Sequence, residues 1–230
     1  MSLFVMGDLH LCRSNPEKTM SIFHGWENYQ ERIENNWLRL VGPEDTIVLA
    51  GDITWAMSLE GAKEDFRFIH SLPGKKIILK GNHDYWWTTK KKMEVFFEAN
   101  GFDSLSILHN NHFKYEGYGI CGTRGWVNMP GETADEKVLK REVIRLETSI
   151  KSALSEQLEP IVFMHYPPIF ATNFNYDILE ILYRYEIKKC YYGHIHGRSG
   201  HELCVKNTYD GIDFHLISGD YLQFIPEKVA

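Results

Sequence analysis

Seven residues of this 230-residue chain offer donors that together could hold metal ions: Asp8, His10, Asp52, Asn82, His165, His194 and His196. They fall in five short pieces, Asp8-Leu9-His10, Gly51-Asp52, Gly81-Asn82-His83-Asp84, His165 and Gly193-His194-Ile195-His196. A mixed set of carboxylate, amide and imidazole suits manganese, iron or zinc, whereas carboxylate and water alone suit magnesium or calcium. Two such cations about 3.5–4 Å apart can hold an activated water, lower its pKa towards about 7 and clamp the oxygens of an in-line displacement at phosphorus. Hydrolysis of a phosphate ester is the natural reaction for that set.

The donors need elements to bring them together. Leu3 to Met6, Thr46 to Ala50, Lys76 to Leu79, Pro160 to Met164 and Cys190 to Tyr192 are short apolar runs rich in β-branched or aromatic residues, which predicts buried strands. Each piece lies just past the end of one run. In sheets flanked by helices, ligands bind beyond the carboxyl ends of strands, so residues distant in sequence can share one pocket.

Taken singly, most of the pieces are ambiguous. Gly51-Asp52 after a strand also reads as a turn and helix cap, His165 as a hydrogen-bonded core histidine, and Asn82 as a residue that tolerates a left-handed turn. Their joint, ordered occurrence favours ligands, and the two imidazoles on alternate residues after Gly193 point that way most strongly.

The ordered set resembles the calcineurin-like metallophosphoesterase superfamily, whose pattern is D-x-H, GD, GNH[D/E], H and GHxH. All five blocks are present between Asp8 and His196, most of the chain. The resemblance implies a four-layer α-β-β-α sandwich, an α/β fold of two mixed sheets flanked by helices, on a single domain spanning residues 1–230. It implies that Asp8, His10 and His196 hold one divalent metal, that Asn82, His165 and His194 hold another, and that Asp52 bridges them. Manganese is the first expectation, with iron, zinc or nickel as the others. His83 would be the catalytic proton donor or charge stabiliser, oriented by Asp84. The chain departs from protein serine/threonine phosphatases, which carry GDxVDRG and GNHE, because it has Gly51-Asp52-Ile53-Thr54-Trp55 and Gly81-Asn82-His83-Asp84. It also lacks a segment for the DNA-binding cap of the related nucleases. A bacterial-type phosphohydrolase of small phosphomonoesters, phosphodiesters or nucleotides, working through a metal-bridging hydroxide, is the expectation. The alternative is a non-catalytic protein-interaction module on the same fold, which typically has a weakened ligand set.

Composition sets the remaining bounds. A content of 43% hydrophobic residues lets the chain bury one sizeable core, and no break in composition divides it. No apolar run approaches a membrane span and no leader precedes the first strand, so a cytoplasmic protein without a membrane partner is expected. The net charge of −6 disfavours nucleic acid, and Lys90-Lys91-Lys92 and Lys75-Lys76 read as solvated surface. Two divalent cations less the carboxylates of Asp8 and Asp52 would still leave the pocket about two charges positive. Cys12, Cys121, Cys190 and Cys204 lack metal or redox spacing and read as buried thiols. Oligomeric state is not legible.

Helical segments are expected at Trp26 to Leu40, Leu59 to Leu72, Thr89 to Ala99 and Ala134 to Leu158, the last with an apolar stripe of Val138, Val143, Leu146, Ile150, Ala153 and Leu154. Asn110-Asn111 and Asp210-Gly211 read as hairpin turns. Trp55, Trp86, Arg124 and Trp126 lie close to the five pieces or at the end of the apolar strand Tyr118 to Cys121. They are the candidate substrate contacts, the tryptophans covering an organic group and Arg124 pairing with phosphate oxygens.

Overall fold

A computed structural model of the protein describes residues 1–126 and 135–230. The expected runs form strands β1 (Leu3–Met6), β2 (Thr46–Ala50) and β3 (Lys75–Leu79), separated by helices α1 (Tyr29–Leu40), α2 (Lys63–Ser71) and then α3 (Lys90–Ala99). With β4 (Leu105–Ile107) they pair in parallel as β1-β2-β3-β4. The second sheet is built from β5 (Phe113–Tyr115), β6 (Tyr118–Thr123), helix α4 (Glu136–Ser155) and β7 (Glu159–Met164). A small hairpin, β8 (Ile169–Phe170) with β9 (Asn173–Phe174), and helix α5 (Tyr176–Arg184) lead to β10 (Lys189–Tyr192). Helix α6 (Gly197–Glu202), β11 (Thr208–Tyr209), β12 (Ile212–Leu216) and β13 (Glu227–Lys228) complete the order. The six-stranded sheet runs β11-β12-β10-β7-β6-β5, parallel in its four central strands, and β13 returns antiparallel to β1 at the edge of the five-stranded sheet.

Three apolar layers fix the four-layer architecture. Val5, Val48, Ile77 and Leu79 of one sheet pack on Ile120, Ile161, Phe163 and Tyr191 of the other. The outer face of the first sheet packs on Ile33 and Trp37 of α1, Phe66 and Ile69 of α2 and Phe97 of α3, and that of the second on Leu146 and Ile150 of α4 and Leu182 of α5. Side chains alternate between the faces of each central strand, so both faces are apolar, which is why these strands read as unbroken runs.

Helix ends are fixed by side chains. The Thr89 hydroxyl, the Asp135 carboxylate and the Asn175 amide oxygen accept from the backbone of Lys92, Val138 and Ile178 at the starts of α3, α4 and α5. Ala134 lies outside the described residues. The buried stripe of α4 is centred on Leu146, Ile150 and Ala153, with Leu139 and Val143 partly buried, and Leu154, expected in it, is exposed. Asp210-Gly211 is the expected hairpin turn, both residues left-handed as a two-residue loop requires. Asn110-Asn111 is not one, because β4 and β5 lie in different sheets. The hairpin beside it turns at Glu116-Gly117, between β5 and β6. Lys76, read as solvated, is only 1% exposed. Its ammonium donates to the carbonyls of Leu72 and His70 and to the Ser104 hydroxyl.

Candidate metal centre

The carboxyl ends of β1, β2, β3, β7 and β10 converge, and each carries one of the five pieces. The backbone there is tightly wound. Asp8, His10, Asp52 and His194 all adopt left-handed φ between 44° and 73°. This costs a non-glycine residue roughly 1 kcal/mol or more and concentrates where function constrains the chain. The motif glycines follow from close approach. A β-carbon on Gly81 would overlap Asp52, and one on Gly193 would overlap the Asp8 carboxylate.

Two groups of donors result. In the first, Asp8, His10 and His196 place one ligand atom each within 4.8 Å of the others. The Nδ1 of His196 contacts Asp220 at 2.9 Å, so as a donor it leaves Nε2 as a lone pair facing His10 Nε2 at 3.4 Å and Asp8 Oδ1 at 3.7 Å. In the second, Asp52, His165 and His194 meet the same criterion. The Nδ1 of His165 donates to the carbonyl of Ala50, and its Nε2 faces Asn82 Oδ1 at 2.6 Å, His194 Nδ1 at 3.2 Å and Asp52 Oδ2 at 3.6 Å. Asp52 Oδ2 also lies 3.7 Å from His10 Nε2, between the two groups.

These atoms fit cations. Ring nitrogens of His10, His165, His194 and His196 converge with carboxylate oxygens of Asp8 and Asp52, and His10 Nδ1 is buried without a hydrogen-bond partner among the described residues. Spacings near 3–3.7 Å suit neighbouring ligands on bonds of roughly 2.0–2.2 Å. Without a cation the electrostatics are costly. Burial pushes Asp8 up to about 8 and Asp52 up to about 6, and it holds His165 down at about 3 and His194 at about 2. His10 is held well below the usual range, first by burial and then by the neighbouring His196. Burial opposes protonation of His196 too, but its bond to Asp220 and the charge of Asp8 outweigh it and raise it to about 9. A positive ion would relieve the buried carboxylates and take the imidazole lone pairs.

His83 stands at the pocket edge. Its ring is 4.6 Å from Trp55 and 5.8 Å from His10, its backbone N–H donates to Asp52 Oδ1, and its Nδ1 is buried without a partner among the described residues. Asp84 does not orient that imidazole. Its carboxylate accepts from the backbone N–H groups of Gly81, Asp52 and Ile53 and from the indole of Trp86 at 2.7–2.9 Å, which saturates both oxygens and ties the β2 and β3 loops together. Sequence neighbours on a tight loop point apart, and the block's last carboxylate serves the backbone.

The aromatic and arginine contacts divide. Trp55 stacks on His10 at 4.8 Å and lines the pocket. Trp86 does not. It is 2% exposed, packs edge-on against Phe66 in the core and spends its N–H on Asp84. Trp126 packs on Tyr166, which packs on His194, so it stands one ring behind the donors. Arg124 turns to buried Glu142 at 3.6 Å instead of the donors, although its carbonyl accepts from the backbone of His165.

Two residues at the site were missed. Trp26 meets both His10 and His196 edge-on, and nothing in its surroundings in sequence marks it. Asp220 accepts from His196 Nδ1 and from the backbone N–H of Gly197, with His201 Nε2 3.3 Å away. Asp220 had a signal, because Gly219-Asp220 follows the end of β12 after two intervening residues, a Gly-Asp pair past a strand like Gly51-Asp52 after β2.

A family profile described as calcineurin-like phosphoesterase matches residues 1–198. No curated protein matches in sequence. Among solved structures, a protein of unknown function from Aquifex aeolicus superposes with a TM-score of 0.57 at 18% identity, over 99% of this chain and 95% of its own. A phosphopantetheinyl hydrolase from Mycobacterium tuberculosis does so with a TM-score of 0.60 at 12% identity, over the same shares. At such identities the superpositions establish the fold. The profile match and the five converging blocks together establish that the chain belongs to the calcineurin-like phosphoesterase family and is a hydrolase of phosphoric esters.

Proposed function

We propose that the protein is a binuclear metal-dependent phosphoesterase acting on a small phosphomonoester, phosphodiester or nucleotide. The observation that carries this reading is the position of Asp52 Oδ2 between two groups of lone-pair donors, 3.7 Å from His10 Nε2 and 3.6 Å from His165 Nε2. Asp8, His10 and His196 would hold one cation, Asn82, His165 and His194 the other, and Asp52 both. When bound, the pair would supply Lewis acidity towards phosphoryl oxygens and acidify a water.

The chain's own residues do the rest. Asp220 fixes the tautomer of His196, and the Ala50 carbonyl fixes that of His165, so each turns a lone pair inwards. Asp84 clamps the loops that carry Asp52 and Asn82. His83, outside both donor groups, donates a proton to the leaving oxygen or stabilises its charge. Trp55 walls the site against His10 and His83 and excludes water from that side. No described helix is long and apolar enough to cross a membrane, which suits a substrate met in solution.

The test is metal analysis followed by hydrolysis of p-nitrophenyl phosphate and its bis-ester, before and after chelation, with manganese restored. Two metals per chain and turnover that falls and returns with them are expected. Metal binding without hydrolysis of any ester would favour the non-catalytic interaction module.

A further inference from the structure

A second, narrow cleft lies where β3 and β6 end, with a volume of about 10 Å³ that would have to widen by movement of its lining side chains before an anion larger than a water could enter, and it gathers several positive charges around one carboxylate. Glu142 of α4 is 1% exposed. One of its oxygens accepts from the Thr123 hydroxyl at 2.5 Å, and the other pairs with Arg145 at 2.5 Å and with Arg124 at 3.6 Å. Lys80, next after β3, faces the same cleft and has no ion pair among the described residues. Arg124 keeps a buried Nε with no hydrogen-bond partner among them. Three cations therefore meet one carboxylate whose two oxygens are taken.

Such a cluster is not explained by stability. A buried carboxylate needs a partner, but further half-buried cations only add desolvation cost and mutual repulsion. With the buried Asp84 also acting on Lys80, about one positive charge is left over, and guanidinium forks suit the oxygens of a phosphate group, which carries about −1.5 to −2 at neutral pH. The cleft also adjoins the metal pocket. Lys80 immediately precedes the Gly81-Asn82 loop, and the Arg124 carbonyl accepts from the N–H groups of both His165 and Tyr166, at 3.2 and 2.9 Å.

We propose that Lys80, Arg124 and Arg145 form an anion subsite, separate from the metal donors, that holds a second phosphate group of the substrate. The preferred substrates are then small molecules or nucleotides phosphorylated at two positions, one phosphate being hydrolysed at the metals and the other gripped here. This rests on the phosphoesterase reading of the neighbouring donors.

The experiment compares kcat/KM for adenosine 5′-monophosphate and adenosine 3′,5′-bisphosphate with the manganese-loaded protein. Wild type should prefer the bisphosphate by about tenfold or more, and Lys80→Met and Arg145→Gln should each bring that preference down towards unity, chiefly through KM, with metal content unchanged. Lys80→Met touches no partner of Glu142, so it keeps the test open if Arg145→Gln fails to fold. No preference in wild type, or a preference that both variants keep, overturns the proposal. Equilibrium dialysis of labelled inorganic phosphate separates this failure from failure of the phosphoesterase reading. Two phosphates per chain in wild type and one in Lys80→Met support the subsite even if no ester is hydrolysed, and one in both overturns it. Two phosphates without any bisphosphate preference would make the cleft a free-phosphate site and overturn the substrate assignment.

Discussion

The two ends of the first sheet both bury charge, and they treat it in opposite ways. At the amino end of β3, Lys76 is as buried as any core residue, and its three protons are met by the carbonyls of Leu72 and His70 and the hydroxyl of Ser104. At the carboxyl ends, Asp52, His10 and His165 are equally buried, yet Asp52 Oδ2 and the Nε2 atoms of the two imidazoles face one another. Burial of ionisable groups does not itself mark a site. What marks it is polar capacity the protein leaves unspent, in a place where the backbone is also strained. Four substitutions probe that difference.

The largest effect is expected at Asp52. Asp52→Asn removes the carboxylate whose Oδ2 lies between the Nε2 atoms of His10 and His165, so two cations would face each other with less compensation. Metal occupancy should drop at both positions and turnover should become undetectable, while thermal unfolding of the chelated protein stays close to wild type. Two tightly held metals per chain and near-normal rates in this variant would remove Asp52 from the bridging position and weaken the contrast itself.

His83→Ala should leave metal content alone and lower kcat by about two to four decades, the usual range for acid–base groups. A good leaving group such as p-nitrophenolate should recover part of the rate if the imidazole donates a proton, and none of it if the imidazole only stabilises charge. Loss of a metal would place His83 among the ligands.

Asp220→Asn tests the carboxylate behind one of the inward lone pairs. His196 is backed by a carboxylate, whereas His165 is backed by the neutral Ala50 carbonyl. Losing the charge should weaken metal binding by about ten- to hundredfold at the position of Asp8, His10 and His196, and leave the other nearly intact. Sequential metal titration by calorimetry reads this directly. Equal weakening at both positions would mean that Asp220 supports the pocket as a whole.

The buried strands and the placing of the candidate residues past their ends were legible in the sequence, because a strand apolar on both faces and a glycine that lets a carboxylate approach both leave local traces. Gly81 and Gly193 are small because Asp52 and Asp8 occupy the space a β-carbon would need. What was not legible depends on direction and on distant partners. Asp84 could not be seen to turn away from His83 until the β2 and β3 loops were placed beside each other. Trp86 and Trp55 look alike in sequence, yet one packs on Phe66 and the other on His10. Lys76 looked solvated because nothing local shows that Leu72, His70 and Ser104 would surround it.

That lysine gives the smallest expected effect and the sharpest control. Lys76→Met keeps the volume and apolar stem of the side chain and removes the charge, so it should leave metal binding and turnover within about twofold, since every partner of Lys76 lies at the far end of the sheet. Its signature is instead a pH-dependent stability difference. Burial holds the Lys76 ammonium at about 8 in the folded protein, against 10.5 for an ordinary lysine. Below about pH 8 both folded and unfolded chains carry the proton, and the stability of wild type relative to the variant is flat. Between about 8 and 10.5 the unfolded chain keeps a proton that the folded chain has lost, so wild-type stability rises with pH relative to Lys76→Met. The rise should approach about 3 kcal/mol across that interval and stop above it. Urea unfolding of both proteins at pH 7, 9 and 10.5 measures it. A pH-independent difference would show that the ammonium is solvated in the folded state, and the two ends of the sheet would then differ in burial as well as in how they satisfy charge.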